Sequence, residues 1–154
     1  MKELETTVEE VLRKALQSEV ETRVYYQKMA QRTSVDAVQK RMLELADREL
    51  EHLSKLERKY RQMLGSEPPQ AEPVTIELAP EIDNLDMSRA LKLALERERD
   101  SESYYRFLAE RVADTSELGR LVMELAEVEW KHKSDLQAEY DSTASDPERF
   151  LLDI

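Results

Sequence analysis

The chain has 154 residues, enough for one domain with a real hydrophobic core, and a formal net charge of -11 that argues against nucleic acid and anionic membrane as partners. It contains no cysteine, which removes disulfides, thiolate catalysis, zinc ribbons and iron–sulfur clusters, and fits a reducing cytoplasm. Two glycines and five prolines leave little material for tight hairpins and point to an all-α protein of long helices.

The N-terminus, "MKELETTVEE", lacks the apolar stretch of a secretory signal, and no apolar run approaches membrane-spanning length. A first helix is expected near 5–32, with Thr6 or Thr7 as its cap and a glutamate three residues after each. Its apolar stripe runs Val8, Leu12, Ala15, Glu19, Thr22, Tyr26, Met29 at alternating steps of three and four, the spacing of one bundle-facing side. A second helix is expected near 35–64, with the stripe Val38, Met42, Leu45, Glu49, His52, Leu56, Met63 and one missed step near Lys59 and Tyr60. Gly65 ends it, and "SEPPQAEP" after it cannot be helical.

Residues 65–86 form a long connector. Extended, such a segment reaches about 70 Å, whereas a 30-residue helix is about 45 Å long, so it can cross the full bundle. Its "VTIEL" is expected to lie along the surface as an extended strap. The third helix, near 87–113, carries Met87, Leu91, Ala94, Glu98, Ser101, Tyr105, Leu108, Val112. The capping-box spelling "DTSE" precedes the fourth, near 116–141, whose stripe is Leu118, Val122, Leu125, Glu129, His132, Leu136, Tyr140. The tail 142–154 opens polar and ends apolar, which suits packing on its own bundle or on a second subunit.

The two halves repeat. "ALQSEVETRVYYQKMA" aligns with "ALERERDSESYYRFLA" at an offset of 79, and "LELADRELEHLSKLERKY" with "MELAEVEWKHKSDLQAEY" at an offset of 80. A helical hairpin and its copy can pack about a pseudo-twofold axis, which sets equivalent residues opposite one another. The expected architecture is a single domain over 1–154, a four-helix bundle of two repeated hairpins joined by a crossover.

Every stripe carries ionisable residues at its midpoint, where the bundle should be driest. Glu49 and His52 lie one turn apart on one face, Glu129 and His132 repeat the arrangement, and Glu19 and Glu98 sit at matching depth. Four buried carboxylates without partners would be a costly core and would respond by holding protons. Two divalent cations neutralise them, with each neutral imidazole adding a nitrogen. One glutamate from each of two helices plus Glu-x-x-His from the other two is the dimetal-carboxylate arrangement of helical bundles. Oxygen-rich ligation without thiolate suits iron or manganese.

Tyr26 and Tyr105 fall seven residues after Glu19 and Glu98. They fit either aromatic core packing or hydrogen bonding to a metal-bound carboxylate, with an electron relay as a further role, and both readings stay open. Tyr25 and Tyr104 read as structural, Trp130 as packing on another face, and Glu21, Glu51, Glu96 and Glu102 as solvated.

The phrases "EVETRVYY" with "ELEH" and "ERDSESYY" with "EWKH" resemble the rubrerythrin branch of the ferritin-like superfamily over roughly 5–141. The resemblance implies a ferritin-like bundle with a left-handed crossover and two iron ions held by Glu19, Glu49, His52, Glu98, Glu129 and His132, with Glu49 and Glu129 bridging. It also implies reduction of hydrogen peroxide or oxidation of ferrous iron by dioxygen or peroxide. Two departures stand out. Rubrerythrins proper carry a cysteine-ligated rubredoxin domain, so electrons here must come from an external donor protein or from ferrous iron. Many also carry a carboxylate one turn beyond the third-helix ligand, a spacing that falls on Ser101; Asp100 or Glu102 can replace it only if the helix bulges.

The leading expectation is a cytoplasmic di-iron oxidoreductase that reduces hydrogen peroxide, as a homo-oligomer, a dimer first. A ferroxidase or iron-storage protein is the alternative, and a structural helical bundle the third.

Overall fold

The computed structural model describes residues 7–112 and 116–145. Four α-helices account for most of them: α1 (Val8–Arg32), α2 (Asp36–Leu64), α3 (Met87–Ala109) and α4 (Glu117–Ser145). α1 packs along α2 and α3 along α4, as expected of two hairpins. The expected tail falls partly in α4, and its residues 146–154 lie outside the described residues, as do 1–6 and 113–115.

Local chemistry sets the ends. Thr7 Oγ1 accepts from the Glu10 amide at 3.1 Å and caps α1. α2 ends at Gly65, in the left-handed region at φ 69°, where a side chain would be strained. Asp86 caps α3 through the Arg89 amide at 2.9 Å. α3 stops at Ala109, short of the expected 113, and residues 110 and 111 turn instead. The α4 cap is Ser116, whose Oγ accepts from the Gly119 amide at 2.9 Å; Asp114 and Thr115 of the "DTSE" spelling lie outside the described residues. α4 continues through the polar "DSTAS" to Ser145, past the expected end at 141, and Thr143 donates back to the Glu139 carbonyl at 2.8 Å.

Residues 65–79 have no regular structure and run parallel to α1, the strap expected for this region. The Glu72 amide donates to Gln17 at 2.9 Å, Lys28 Nζ to the Ile76 carbonyl at 3.1 Å, and the Arg32 guanidinium to the Ala79 carbonyl at 3.5 Å. The connector is not extended to its end, however. Pro80–Asn84 forms a short 3-10 helix, started by a proline whose fixed φ suits a first turn. It is pinned to the α1–α2 turn by Ser34, whose amide and hydroxyl donate to the Asp83 carbonyl at 2.9 and 2.8 Å. Ile82 and Leu85 bury their side chains there, apolar anchors that an extended strap would have left in water.

Because α3 begins where α1 ends, α1 runs parallel to α4 and antiparallel to α3. Charged side chains tie α2 to α4, with Arg41 gripping Glu139 at 2.8 and 2.7 Å at one end and Lys59 meeting Glu124 towards the other. The core is in two pieces. One gathers Tyr26, Met29, Met42, Leu45, Leu91 and Leu136. The other gathers Leu12, Leu16, Leu56, Tyr105, Leu121 and Leu125. Between them lies a layer of buried carboxylates.

A carboxylate layer between two apolar cores

All four stripe glutamates are deeply buried, with Glu19 at 3%, Glu49 at 1%, Glu98 at 2% and Glu129 at 1% exposure. Each sits at the middle of its helix, because the three-four spacing that buries Leu12 or Leu45 also turns the glutamate inward. The Glu-x-x-His spacing puts each imidazole one turn further on the same side. The His52 and His132 rings meet edge to face, 5.2 Å between centroids.

The donors converge in three overlapping groups, each with its ligand atoms within 4.8 Å of one another: Glu19, Glu49 and His52; Glu49, Glu98 and His132; and His52, Glu129 and His132. Glu49 therefore faces both Glu19 and Glu98, and Glu129 reaches both imidazoles, the placement required of carboxylates shared by two cations. The same layer leaves polar atoms stranded. Both Glu49 oxygens, Glu129 Oε1 and Nδ1 of both histidines are buried without a hydrogen-bond partner. His52 Nδ1 lies 3.2 Å from Glu19 Oε2 but out of hydrogen-bonding alignment, and His132 Nδ1 is 4.0 Å from Glu98 Oε2. Buried polar atoms are seldom left so, and this many in one place mark a site built for a ligand of opposite charge. Two oxygen- and nitrogen-seeking divalent cations fit the set.

Electrostatics says the same. Burial, the contact with Glu19 and the charges of Glu19 and Glu98 push the Glu49 carboxyl up to about 12. Burial, followed by the Glu19 charge, raises Glu129 strongly as well. Burial alone would raise Glu19, but polar contacts with Glu49, His52 and Glu129 outweigh it and hold that carboxyl at about 2. Burial, with the nearby Arg48 charge, lowers His132 to about 4, so its imidazole is neutral at physiological pH and its nitrogen is available as a donor. Without metal, the layer thus favours the protonated form of Glu49 and Glu129.

The surrounding side chains are unequal. Tyr26 Oη donates to Glu98 Oε1 at 3.2 Å, whereas no hydrogen bond joins Tyr105 to Glu19 among the described residues. Burial and the neighbouring carboxylates raise both phenols well above the usual tyrosine range, so both stay protonated. Tyr25 and Tyr104 meet Tyr26 and Tyr105 edge to face, at 5.7 and 5.4 Å, a packing role in both repeats.

Two expectations are corrected. Glu102 is not solvated: it is 4% exposed and holds Lys133 and Arg106, whose charges outweigh its desolvation and lower its carboxyl. α3 is an unbroken α-helix there, so Glu102 faces α4 rather than replacing a ligand at Ser101, and it joins none of the three donor groups. Trp130 does point to another face, but it is 48% exposed rather than packed. Glu51 and Glu96 are exposed and Glu21 is half-exposed, as expected of solvated residues. Arg48, whose Nη2 lies 3.5 Å from Glu98 Oε1, went unnoticed in the sequence. The signal was there: the residue before Glu49 is Arg48, and the residue before Glu129 is Val128.

Compared with protein families, the chain matches rubrerythrin over residues 10–140, nearly its whole described length. The chain belongs to the rubrerythrin family. No curated protein and no solved structure shows significant similarity to it. Rubrerythrin membership and the buried carboxylate–imidazole layer agree on a ferritin-like bundle built around a candidate dimetal centre. No helix among the described residues is long and apolar enough to cross a membrane.

Proposed function

We propose that this rubrerythrin-family protein is a di-iron oxidoreductase that reduces hydrogen peroxide to two waters, taking two electrons from a donor outside these residues and two protons. The observation that carries the reading is the stranded donor set: both histidine Nδ1 atoms and both Glu49 oxygens, buried together with nothing to bind. Glu19, Glu49 and His52 would hold one metal and Glu49, Glu98 and His132 the other, with Glu129 shared. When bound, a pair of irons supplies the electrons that the O–O bond accepts.

The chain's own groups prepare the site for that chemistry. Two apolar clusters lie above and below the layer and shield its carboxylates from bulk water. The Tyr26 phenol stays protonated and holds Glu98 by its Oε1. Carboxylate ligands this deeply buried suit resident metals better than ions in transit, and peroxide reduction is therefore placed above iron storage. These 154 residues contain no cysteine, so they hold no thiolate-ligated iron and the electrons reach the centre from outside them.

Anaerobically prepared diferrous protein mixed with peroxide, and separately with dioxygen, tests the proposal. Fast stoichiometric reoxidation by peroxide with a slow oxygen reaction is the expected outcome. Oxidation of many ferrous ions per chain into a mineral would replace it with ferroxidase and storage. Absence of two metals per chain would leave a structural bundle.

A further inference from the structure

The two halves of the centre are built from equivalent residues, and the charge beside them breaks the equivalence. Arg48 extends its guanidinium to Glu98, Nη2 to Oε1 3.5 Å, and its Nε and Nη2 are buried without a hydrogen-bond partner. Tyr26 holds the same oxygen at 3.2 Å. The equivalent position in the other half is Val128, and Glu19 there makes no ion pair with any described arginine or lysine. Arg23, one turn beyond Glu19, also pairs with no described acid, so it does not occupy that ligand as Arg48 occupies Glu98. Glu102, one turn beyond Glu98 on α3, is taken up by Lys133 and Arg106.

We infer that Arg48 makes the centre load in order: a divalent cation fills the position of Glu19, Glu49 and His52 first, and the position of Glu49, Glu98 and His132 second and more weakly. The inference rests on the dimetal reading above. A guanidinium cannot be deprotonated under these conditions, so its charge persists. It acts against the second cation twice, by direct repulsion and by competing for Glu98 Oε1. At the effective dielectric of a protein, a fixed unit charge a few ångströms from a cation is worth more than about tenfold in affinity. The first position has no such competitor for Glu19.

The test is cobalt(II) titration of chelator-stripped, full-length protein, followed by calorimetry and by the visible cobalt spectrum. Wild-type protein is expected to take up two equivalents in two steps with dissociation constants at least about tenfold apart. Anomalous diffraction from crystals given one equivalent is expected to place it at Glu19 and His52. Arg48→Val, which copies Val128, and Arg48→Gln, which keeps polarity without charge, are both expected to close the gap by strengthening the second step. Circular dichroism and melting identify which variants are folded, and the glutamine variant serves if the valine one is not. Two equal steps in the wild type, first occupancy at Glu98 and His132, or an unchanged gap in a folded Arg48 variant would overturn the inference while leaving the dimetal centre intact. No uptake at all would overturn both.

Discussion

Glu49 and Glu129 each hold a proton that a divalent cation must displace, and this one feature links stability, pH and loading. Folded metal-free protein must hold a proton on Glu49 that the unfolded chain releases, and Glu49→Gln is neutral without one. At pH 7 in chelator the variant is expected to be more stable than wild type, by up to about 3 kcal/mol in urea titration. The same variant should lose both tightly bound metals by elemental analysis, since Glu49 belongs to both halves of the centre. A variant that retained two metals would remove Glu49 from the ligand set. The pH dependence has a definite sign. Glu49 and Glu129 are protonated in the folded chain and ionised in the unfolded one above the ordinary value of 4.5, so unfolding releases protons. Glu19, held at about 2, and His132, lowered to about 4, lose their contributions only as the pH falls, through ranges below 4.5 and 6.5 respectively. Between pH 6.5 and 8.5 only the first pair acts, and metal-free protein should lose up to about 1.4 kcal/mol of stability per pH unit for each of the two protons, about 2.7 kcal/mol together, read by melting in chelator. Tyr26→Phe deletes the hydrogen bond to Glu98 and should cost about 1 kcal/mol, whereas Tyr105→Phe, with no such bond to Glu19, should cost less.

Each helix carries an apolar run, a polar midpoint and a second apolar run, so no helix can slide along its neighbour without burying a carboxylate among leucines. That conflict fixes register more sharply than apolar packing alone. The crossover contributes by a different route. Its backbone and side-chain contacts to Gln17, Lys28, Arg32 and Ser34 lay it along α1, and the reversal that sends it there begins at Gly65. A Cβ at Gly65 meets nothing within 4 Å, so Gly65→Ala is opposed only by its φ of 69°. The expected loss is about 1 kcal/mol by thermal melting, with Gly65→Asn milder because asparagine tolerates the left-handed region.

The assembled bundle is two apolar clusters joined across a layer of charge, and without metal that layer is its weakest plane. Two cations binding the folded chain alone stabilise it by mass action. At a hundredfold excess over the dissociation constant each is worth about 2.7 kcal/mol. Chelation should therefore lower the melting temperature by about 10 °C or more. Hydrogen exchange should locate the loosening at the central turns around Glu19, Glu49, Glu98 and Glu129 rather than at the helix ends. Equal melting with and without metal would mean that the layer is stable on its own.

The four helices, the repeat, the crossover and the six converging donors were legible in the sequence because each is a matter of spacing. Three-four periodicity places a residue on a face whatever its partners are, and duplication states which faces correspond. The strap was legible for the same reason, from length and prolines, but its 3-10 end was not, since the burial of Ile82 and Leu85 depends on what the α1–α2 turn presents to them. Glu102 was misread because a glutamate on the edge of a charged helix is buried only if a cation from another element meets it, and Lys133 of α4 does, beside Arg106 of the same helix. Arg48 is the sharper case. Its place before Glu49 is written in one dimension, but the 3.5 Å approach to Glu98 crosses from one hairpin to the other. Periodicity along one chain fixes faces. Which charge meets which across the bundle is set by packing between helices, and electrostatic energy depends on that distance.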